Sequence, residues 1–287
     1  MTRALILWSG PVYGPGASPY PNGDIGKVDW LGVQTDILTV SFNGSAGAGI
    51  YAALRDASGR ALPNLLAQKG FPQLGAYDHV SACGYSAGHN FLNPLLLSDG
   101  DSIDSCVSID ACFSAQNPPW TKQGYVDFGT KAALGQKLMV LAATGSSHGN
   151  AQYPSSSGSE CAVANFDASS SNAGVSPLTI DSGLAYPPTT SERAGSLYLL
   201  DYAAQQFKDL PNPGQIPHWH IVNNLSRDIF QTYLAPWNAG AQLPGGVDGD
   251  TVVTPGDGGG SSDSSTPIVL GLAALTLLTI YFASRNR

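Results

Sequence analysis

The chain has 287 residues, 43% of them hydrophobic, which is enough for one large α/β domain with a sizeable core. Only 12% are charged, and the net charge of −8 comes without a basic patch, so we do not expect a nucleic-acid partner. The four cysteines lack the C-x-x-C spacing of a zinc site, and no motif indicates a metal, nucleotide or flavin, so no cofactor is predicted.

Short apolar strands alternate with helical segments up to residue 237. The first strand is predicted over residues 3–9, an apolar run too short for a signal peptide. Further strands are predicted over 36–42, 79–84, 105–111 and 137–144, and helices over 49–69, 88–97, 125–134, 192–207 and 223–234. Residues 145–191 are rich in Ser, Gly and Pro and are predicted as a long loop. This alternation predicts an α/β fold, with a mostly parallel sheet and helices on both faces.

The sequence gives two expectations for the cysteines. Cys83 and Cys106 fall inside apolar runs and are predicted to be buried thiols. A disulfide between Cys112 and Cys161 is a further hypothesis.

The C-terminal part of the chain differs in composition from the rest. Residues 238–266 are mainly Gly, Asp, Ser, Thr and Pro, which predicts a flexible linker. Residues 267–284 carry no charge and are almost wholly apolar, which predicts a single transmembrane helix. Residues 285–287 form a basic tail. We therefore expect a domain at 1–237 that is tethered to a membrane by a C-terminal anchor.

The orientation of this anchor rests on two opposing signals. Arg285 and Arg287 favour a cytoplasmic C-terminus, which would place the domain outside. The N-terminus carries no signal peptide to move a domain of this size across the membrane. Because the second barrier is larger, the domain is expected to face the cytoplasm.

A candidate nucleophile lies in the pentapeptide Gly84-Tyr85-Ser86-Ala87-Gly88, a G-x-S-x-G motif. It follows the predicted strand 79–84 and precedes the predicted helix 88–97. A serine on a tight strand-to-helix turn needs glycines two residues before and after it, because strand and helix approach closely there. Ser86 is therefore predicted to be a catalytic serine.

With this motif in its strand–helix context, the strand order and a late histidine, residues 3–237 resemble the α/β-hydrolase family. The resemblance implies acyl-transfer chemistry, as in esterases, lipases and peptidases. It also implies a Ser-His-Asp type triad whose base precedes the last helix. His220 is favoured because Phe230 and Leu234 follow it at the family's offset, with His218 as the alternative base and His148 a weaker candidate.

The acid of the triad has several candidates. Asp110 ends the fourth predicted strand, at the sheet edge where active-site groups gather. Some family members carry the acid there; the commoner position follows the next strand, where this chain has no Asp or Glu. Asp167 and Asp181 are the alternatives.

An oxyanion hole would use the backbone N–H of Ala87, the residue after the nucleophile. The second donor is predicted in the loop after the first strand, where Gly10 permits close approach of a carbonyl group.

These residues favour a membrane-tethered serine hydrolase that cleaves an ester or related acyl bond in a small-molecule or lipid-like substrate. The alternative is a non-catalytic hydrolase-like domain that serves as a membrane-anchored structural or interaction protein. A third, weaker hypothesis is a cell-envelope esterase of a bacterial virus.

Overall fold

The computed structural model describes residues 1–11, 24–42, 46–112, 121–145, 158–203, 206, 218 and 221–245. In these residues eight strands form one sheet, in the order β2-β1-β3-β4-β5-β8-β7-β6. The strands are β1 (Arg3–Pro11), β2 (Gln34–Phe42), β3 (His79–Tyr85), β4 (Ser105–Ile109), β5 (Leu138–Thr144), β6 (Leu178–Thr179), β7 (Thr190–Ala194) and β8 (Leu197–Tyr202). The six strands from β2 to β8 are parallel, whereas β7 and β6 are added antiparallel at one edge.

Five helices pack on one face of this sheet: α1 (Gly47–Leu54), α2 (Leu62–Lys69), α3 (His89–Asp99), α4 (Gln123–Ala133) and α5 (Gly158–Ala173). The other face is covered by a helical segment at residues 221–238, here called α6, and by a short turn of helix at Asp24–Lys27. α6 alternates between two stretches of π-helix, Ile221–Leu225 and Phe230–Leu234, and two of α-helix, Ser226–Ile229 and Ala235–Asn238.

The sheet separates two apolar cores, as β1 illustrates. Leu5 and Leu7 point into the core beneath α1 to α5, and Ile6 and Trp8 point into the core beneath α6. Successive side chains of a strand point to opposite faces, so a continuous apolar run is what a sheet covered on both faces requires. The predicted α/β fold with a mostly parallel sheet is confirmed, with the five predicted strands extended or shortened by a few residues.

The helix predicted over 192–207 is wrong, because the described residues there form the hairpin of β7 and β8. Gly195, with a φ of 58°, makes the turn between them. Its neighbour Ser196 donates its backbone N–H to the carbonyl of Ala132 in α4. The apolar run at 197–202 is too short for its periodicity to distinguish a strand from a buried helix. It forms a strand because it pairs with the buried strand β5.

Two other predictions need correction. The long loop predicted over 145–191 contains α5. This helix packs on the sheet through Cys161 and Phe166, but its many Ser, Ala and Asn residues leave too few large apolar residues for a recognisable helical pattern. The single helix predicted over 49–69 is two helices, because the chain turns between Asp56 and Gly59. The carboxylate of Asp56 accepts the backbone N–H groups of Ser58 and Arg60 and stabilises that turn.

The chain divides into two compact units, residues 1–254 and 255–287, and the described residues all belong to the first. Within the predicted linker, Leu243 is buried, and the carbonyl of Pro244 accepts a hydrogen bond from the Tyr198 hydroxyl. These contacts attach residues 243–244 to the first unit. None of the described helices combines the length and the apolar character that crossing a bilayer requires, and the predicted span at 267–284 lies outside the described residues.

Candidate active site

Ser86 occupies a strained turn between strand β3 and helix α3. β3 ends at Tyr85, a short turn spans Ser86–Gly88, and α3 begins at His89. Ser86 has a φ of 54°, in the left-handed region that residues other than glycine seldom adopt. A serine held in this conformation between a parallel strand and a helix has the backbone geometry of a nucleophile elbow.

The glycines of the pentapeptide have steric reasons in the structure. A Cβ at Gly88 would lie 2.5 Å from the backbone carbonyl oxygen of Ser9, so any side chain there would push α3 away from β1. A Cβ at Gly84 would lie 3.0 Å from Leu92 and 3.3 Å from the hydroxyl of Ser9. The approach of strand and helix predicted from the motif is therefore present.

Asp110 forms a similar turn on the neighbouring strand. It follows β4 directly, has a φ of 44°, and is 1% exposed. Its Oδ1 accepts the backbone N–H of Thr144 (3.2 Å), and its Oδ2 accepts the Thr144 hydroxyl (2.9 Å). Residues that end adjacent parallel strands share one edge of the sheet, so Asp110 and Ser86 belong to the same edge.

His218 contacts Asp110 through its ring. Nδ1 of His218 lies 2.6 Å from Oδ2 of Asp110, and both side chains are almost fully buried. In a bond between an imidazole and a carboxylate, the ring N–H at Nδ1 donates and the carboxylate oxygen accepts. An imidazole with its proton on Nδ1 can accept a second proton at Nε2, which is the arrangement of a general base oriented by an acid.

The structure thus brings together Asp110 and the alternative base, His218. His220, which the sequence favours, lies outside the described residues, as does His148. The two histidines of Pro217-His218-Trp219-His220 have similar neighbours in the sequence, so the sequence alone does not choose between them as the partner of Asp110. Sequence periodicity carries no signal of that choice.

Helix α5 places its first residue against the acid. A Cβ on Gly158 would overlap Oδ1 of Asp110, so only glycine lets the helix approach this closely. The N-terminus of a helix carries partial positive charge, which favours a carboxylate. The Cys112–Cys161 disulfide, with Cα atoms 5.5 Å apart, fastens the residues after Asp110 to the same helix. Cys83 and Cys106 are free and buried, as predicted.

A second carboxylate, that of Asp201 on β8, lies near the acid and was missed by the sequence analysis. Burial raises the pKa of Asp201, a hydrogen bond from the Ser159 hydroxyl (2.7 Å) opposes this, and the negative charge of Asp110 raises it further. The sequence predicted a helix at this position and so gave no reason to place Asp201 at the site.

His89, at the start of α3, has a different role. Its Nδ1 lies 3.0 Å from the carbonyl oxygen of Ser86 and therefore donates to it. Burial, together with the positive charge of Lys122, lowers the pKa of His89 to about 4, although the bond to Ser86 opposes the shift. A neutral ring bound to the backbone of the turn supports the turn's conformation.

The two predicted oxyanion donors lie on different elements. Ala87 is the middle residue of the turn Ser86–Gly88, which leads into the N-terminus of α3, where backbone N–H groups lack partners within the helix. Gly10 lies in β1, opposite Ser41 of β2.

The hydrogen bonds of β1 indicate the direction of the Gly10 N–H. The carbonyl of Thr2 accepts from Gln34, at the start of β2, and that of Arg3 accepts from Asp78, just before β3. Successive residues of β1 therefore face β2 and β3 in turn. By this alternation the N–H of Gly10 faces β2, away from Ser86.

The alternative acids lie apart from this arrangement. Asp167 is exposed on α5, and exposed Asp181 accepts the backbone N–H of Gly183 in a local turn. Within the described residues, no group of three or more His, Cys, Asp or Glu side chains is placed to hold a metal ion.

Comparison with known proteins adds little to this geometry. No protein-family model matches the chain, and no curated protein matches it. Among solved structures it is similar to LpqC, a poly(3-hydroxybutyrate) depolymerase from Bordetella parapertussis, with 12% sequence identity and a TM-score of 0.36. The match covers 75% of this chain and 82% of that one. A likeness at this TM-score carries no argument about function, which has to come from the site.

Proposed function

We propose that this protein is a serine hydrolase that cleaves an ester or related acyl bond through Ser86, His218 and Asp110. The observation that carries the proposal is the buried His218–Asp110 pair, at 2.6 Å, on the sheet edge where Ser86 is held at a φ of 54°. In acyl transfer, an imidazole paired with a carboxylate can activate a nearby serine as the nucleophile.

In the proposed reaction, Oγ of Ser86 attacks the substrate carbonyl carbon while Nε2 of His218 takes the hydroxyl proton. Asp110 keeps Nδ1 protonated and stabilises the imidazolium that forms. The N–H of Ala87 donates to the oxyanion of the tetrahedral intermediate. His218 then gives its proton to the leaving alcohol, which departs and leaves an acyl group on Ser86. A water molecule, deprotonated by His218, then attacks the acyl carbonyl carbon. The bond to Oγ of Ser86 breaks, His218 returns the proton to Oγ, and the acid is released.

A fluorophosphonate probe tests the proposal, because it labels only a serine that a neighbouring base activates. The wild-type protein should be labelled at Ser86 and should hydrolyse a short-chain activated ester. Ser86→Ala should lose both properties while keeping its circular dichroism spectrum. Absence of labelling in folded wild-type protein would favour the alternative, a non-catalytic hydrolase-like domain.

The same assay identifies the base. His218→Ala should lower turnover by about 10³-fold or more, as the loss of a triad member does, and His220→Ala should lower it far less. The reverse result would assign the base to His220 and leave the pair of His218 and Asp110 as a structural contact.

We further propose that residues 267–284 anchor this domain to a membrane and that the domain faces the cytoplasm. The support for the anchor is the uncharged apolar run of these residues, which is long enough to cross a bilayer. Protease added to intact cells should leave the linker at 238–266 uncut. Release of the domain under these conditions would place it outside.

A further inference from the structure

Tyr85 is the residue between the first glycine and the serine of the pentapeptide. The turn itself makes no demand on this position, since only the glycines and the serine are fixed by the approach of strand and helix. Tyr85 is nevertheless 5% exposed and makes two contacts with His218. These contacts suggest a function for the position that the motif does not specify.

The first contact is between the rings. The ring of Tyr85 stacks on the imidazole of His218, with centroids 4.7 Å apart and planes inclined by 24°. The hydrogen bond from Nδ1 to Asp110 fixes one atom of the imidazole but leaves the ring free to tilt about that bond. A flat surface against the ring face removes this freedom.

The second contact is with the backbone. The hydroxyl of Tyr85 donates to the carbonyl oxygen of His218 at 3.1 Å. One tyrosine thus holds both the main chain and the ring of the same residue. Its own backbone is secure, because it ends β3, which pairs with β1 and β4, and it lies opposite Ile109, the residue before Asp110.

We propose that Tyr85 is a positioning residue for the base: it sets the plane of the His218 imidazole and the place of its backbone, so that Nε2 is presented to Ser86. This inference rests on the proposed function. Because a proton acceptor misplaced by about 1 Å can cost about 10²-fold in rate, a second constraint on the ring is of direct use.

Two substitutions separate the contacts. Tyr85→Phe keeps the stacked ring and removes the hydroxyl donor, and Tyr85→Leu removes both. We expect kcat to fall by about tenfold in Tyr85→Phe and by about 10²-fold in Tyr85→Leu, with KM within about twofold of wild type, because the ring contacts the base rather than the substrate.

Tyr233→Phe is the matched control. Tyr233 is fully buried in the same apolar core, and its hydroxyl donates to the backbone carbonyl of Ser182 at 2.8 Å. The substitution therefore removes the same kind of bond without touching His218. It should lower the thermal midpoint about as much as Tyr85→Phe does and leave kcat within about twofold of wild type.

A spectroscopic readout tests the positioning without relying on activity. A proton in a short N–H···O bond such as that between His218 and Asp110 gives a downfield nuclear magnetic resonance signal that persists while the bond excludes water. The signal should be sharp in wild type, absent from His218→Ala, retained in Tyr85→Phe, and broadened by solvent exchange in Tyr85→Leu.

Different results would overturn the positioning role of Tyr85 and the proposed function. If Tyr85→Leu keeps both the wild-type kcat and a sharp signal, or if Tyr85→Phe and Tyr233→Phe lose kcat equally, the inference is overturned. Wild-type protein that is not labelled by a fluorophosphonate would overturn the proposed function instead. In that case a broadened signal in Tyr85→Leu would still support the positioning of His218, and an unchanged signal would exclude it.

Discussion

Two turns at one edge of the sheet carry the proposed nucleophile and the proposed acid, and they are built in different ways. Ser86 and Asp110 each follow one of two paired parallel strands, and each has a positive φ, of 54° and 44° respectively. The serine turn has its glycines at positions 84 and 88, within the same short stretch of chain. The aspartate turn has its glycine at position 158, at the start of a helix that follows the next strand.

The two turns differ in whether the small residues that each requires lie close to it in the sequence. The helix after Ser86 continues directly from the turn, so the residues that must be small are its neighbours in sequence. The helix that covers Asp110 arrives from elsewhere in the chain and is fastened by the Cys112–Cys161 disulfide. The serine turn can therefore be recognised from a short sequence motif. The aspartate turn cannot, because no pattern surrounds Asp110 in the sequence.

The largest expected effect tests whether the aspartate turn is as functional as the serine turn. Asp110→Asn should lower kcat by about 10³- to 10⁴-fold, because an amide can donate to Nδ1 of His218 and favour the wrong tautomer. The measurement is turnover of an activated ester. Asp201→Asn is the control: it keeps an oxygen that accepts from Ser159, and it should cost less than about tenfold. Equal losses in the two variants would mean that the acid is not Asp110 alone.

A smaller effect is expected from adding a methyl group between α5 and the acid. Gly158→Ala should lower kcat by about 10- to 100-fold, since the new Cβ overlaps Oδ1 of Asp110 and must displace the carboxylate or the helix. Gly129→Ala is a matched control, because its Cβ would overlap the hydroxyl of Ser169, further along α5. Both variants should lower the thermal midpoint, and only Gly158→Ala should lose activity. A similar loss of activity in Gly158→Ala and Gly129→Ala would mean that Gly158 matters for helix packing and not specifically for the position of Asp110.

The same contrast explains how much of the molecule can be predicted from its sequence. The five central strands and the serine turn were predictable, because uniform apolar runs and the glycines around Ser86 are local signals. The hairpin containing Asp201 and the helix α5 were not, because their stability depends on pairing with β5 and on packing of small residues. The contacts of His218 with Tyr85 and Asp110 were not predictable either, because both residues are far from it in the chain.

The smallest expected effect concerns pH and the support of the serine turn. Folding lowers the pKa of His89 from an ordinary value of 6.5 to about 4, chiefly through burial. As the pH falls below 6.5, the unfolded chain binds a proton that the folded chain still excludes, so the free energy of unfolding decreases. The decrease should end near pH 4, where the folded protein is protonated as well.

His89→Asn isolates this contribution, because the asparagine amide still donates to the Ser86 carbonyl but does not titrate. Between pH 7 and pH 4.5, the thermal midpoint of the wild type should fall further than that of His89→Asn, by roughly a few degrees. Parallel pH profiles for wild type and His89→Asn would show that a neutral His89 is not what holds the serine turn.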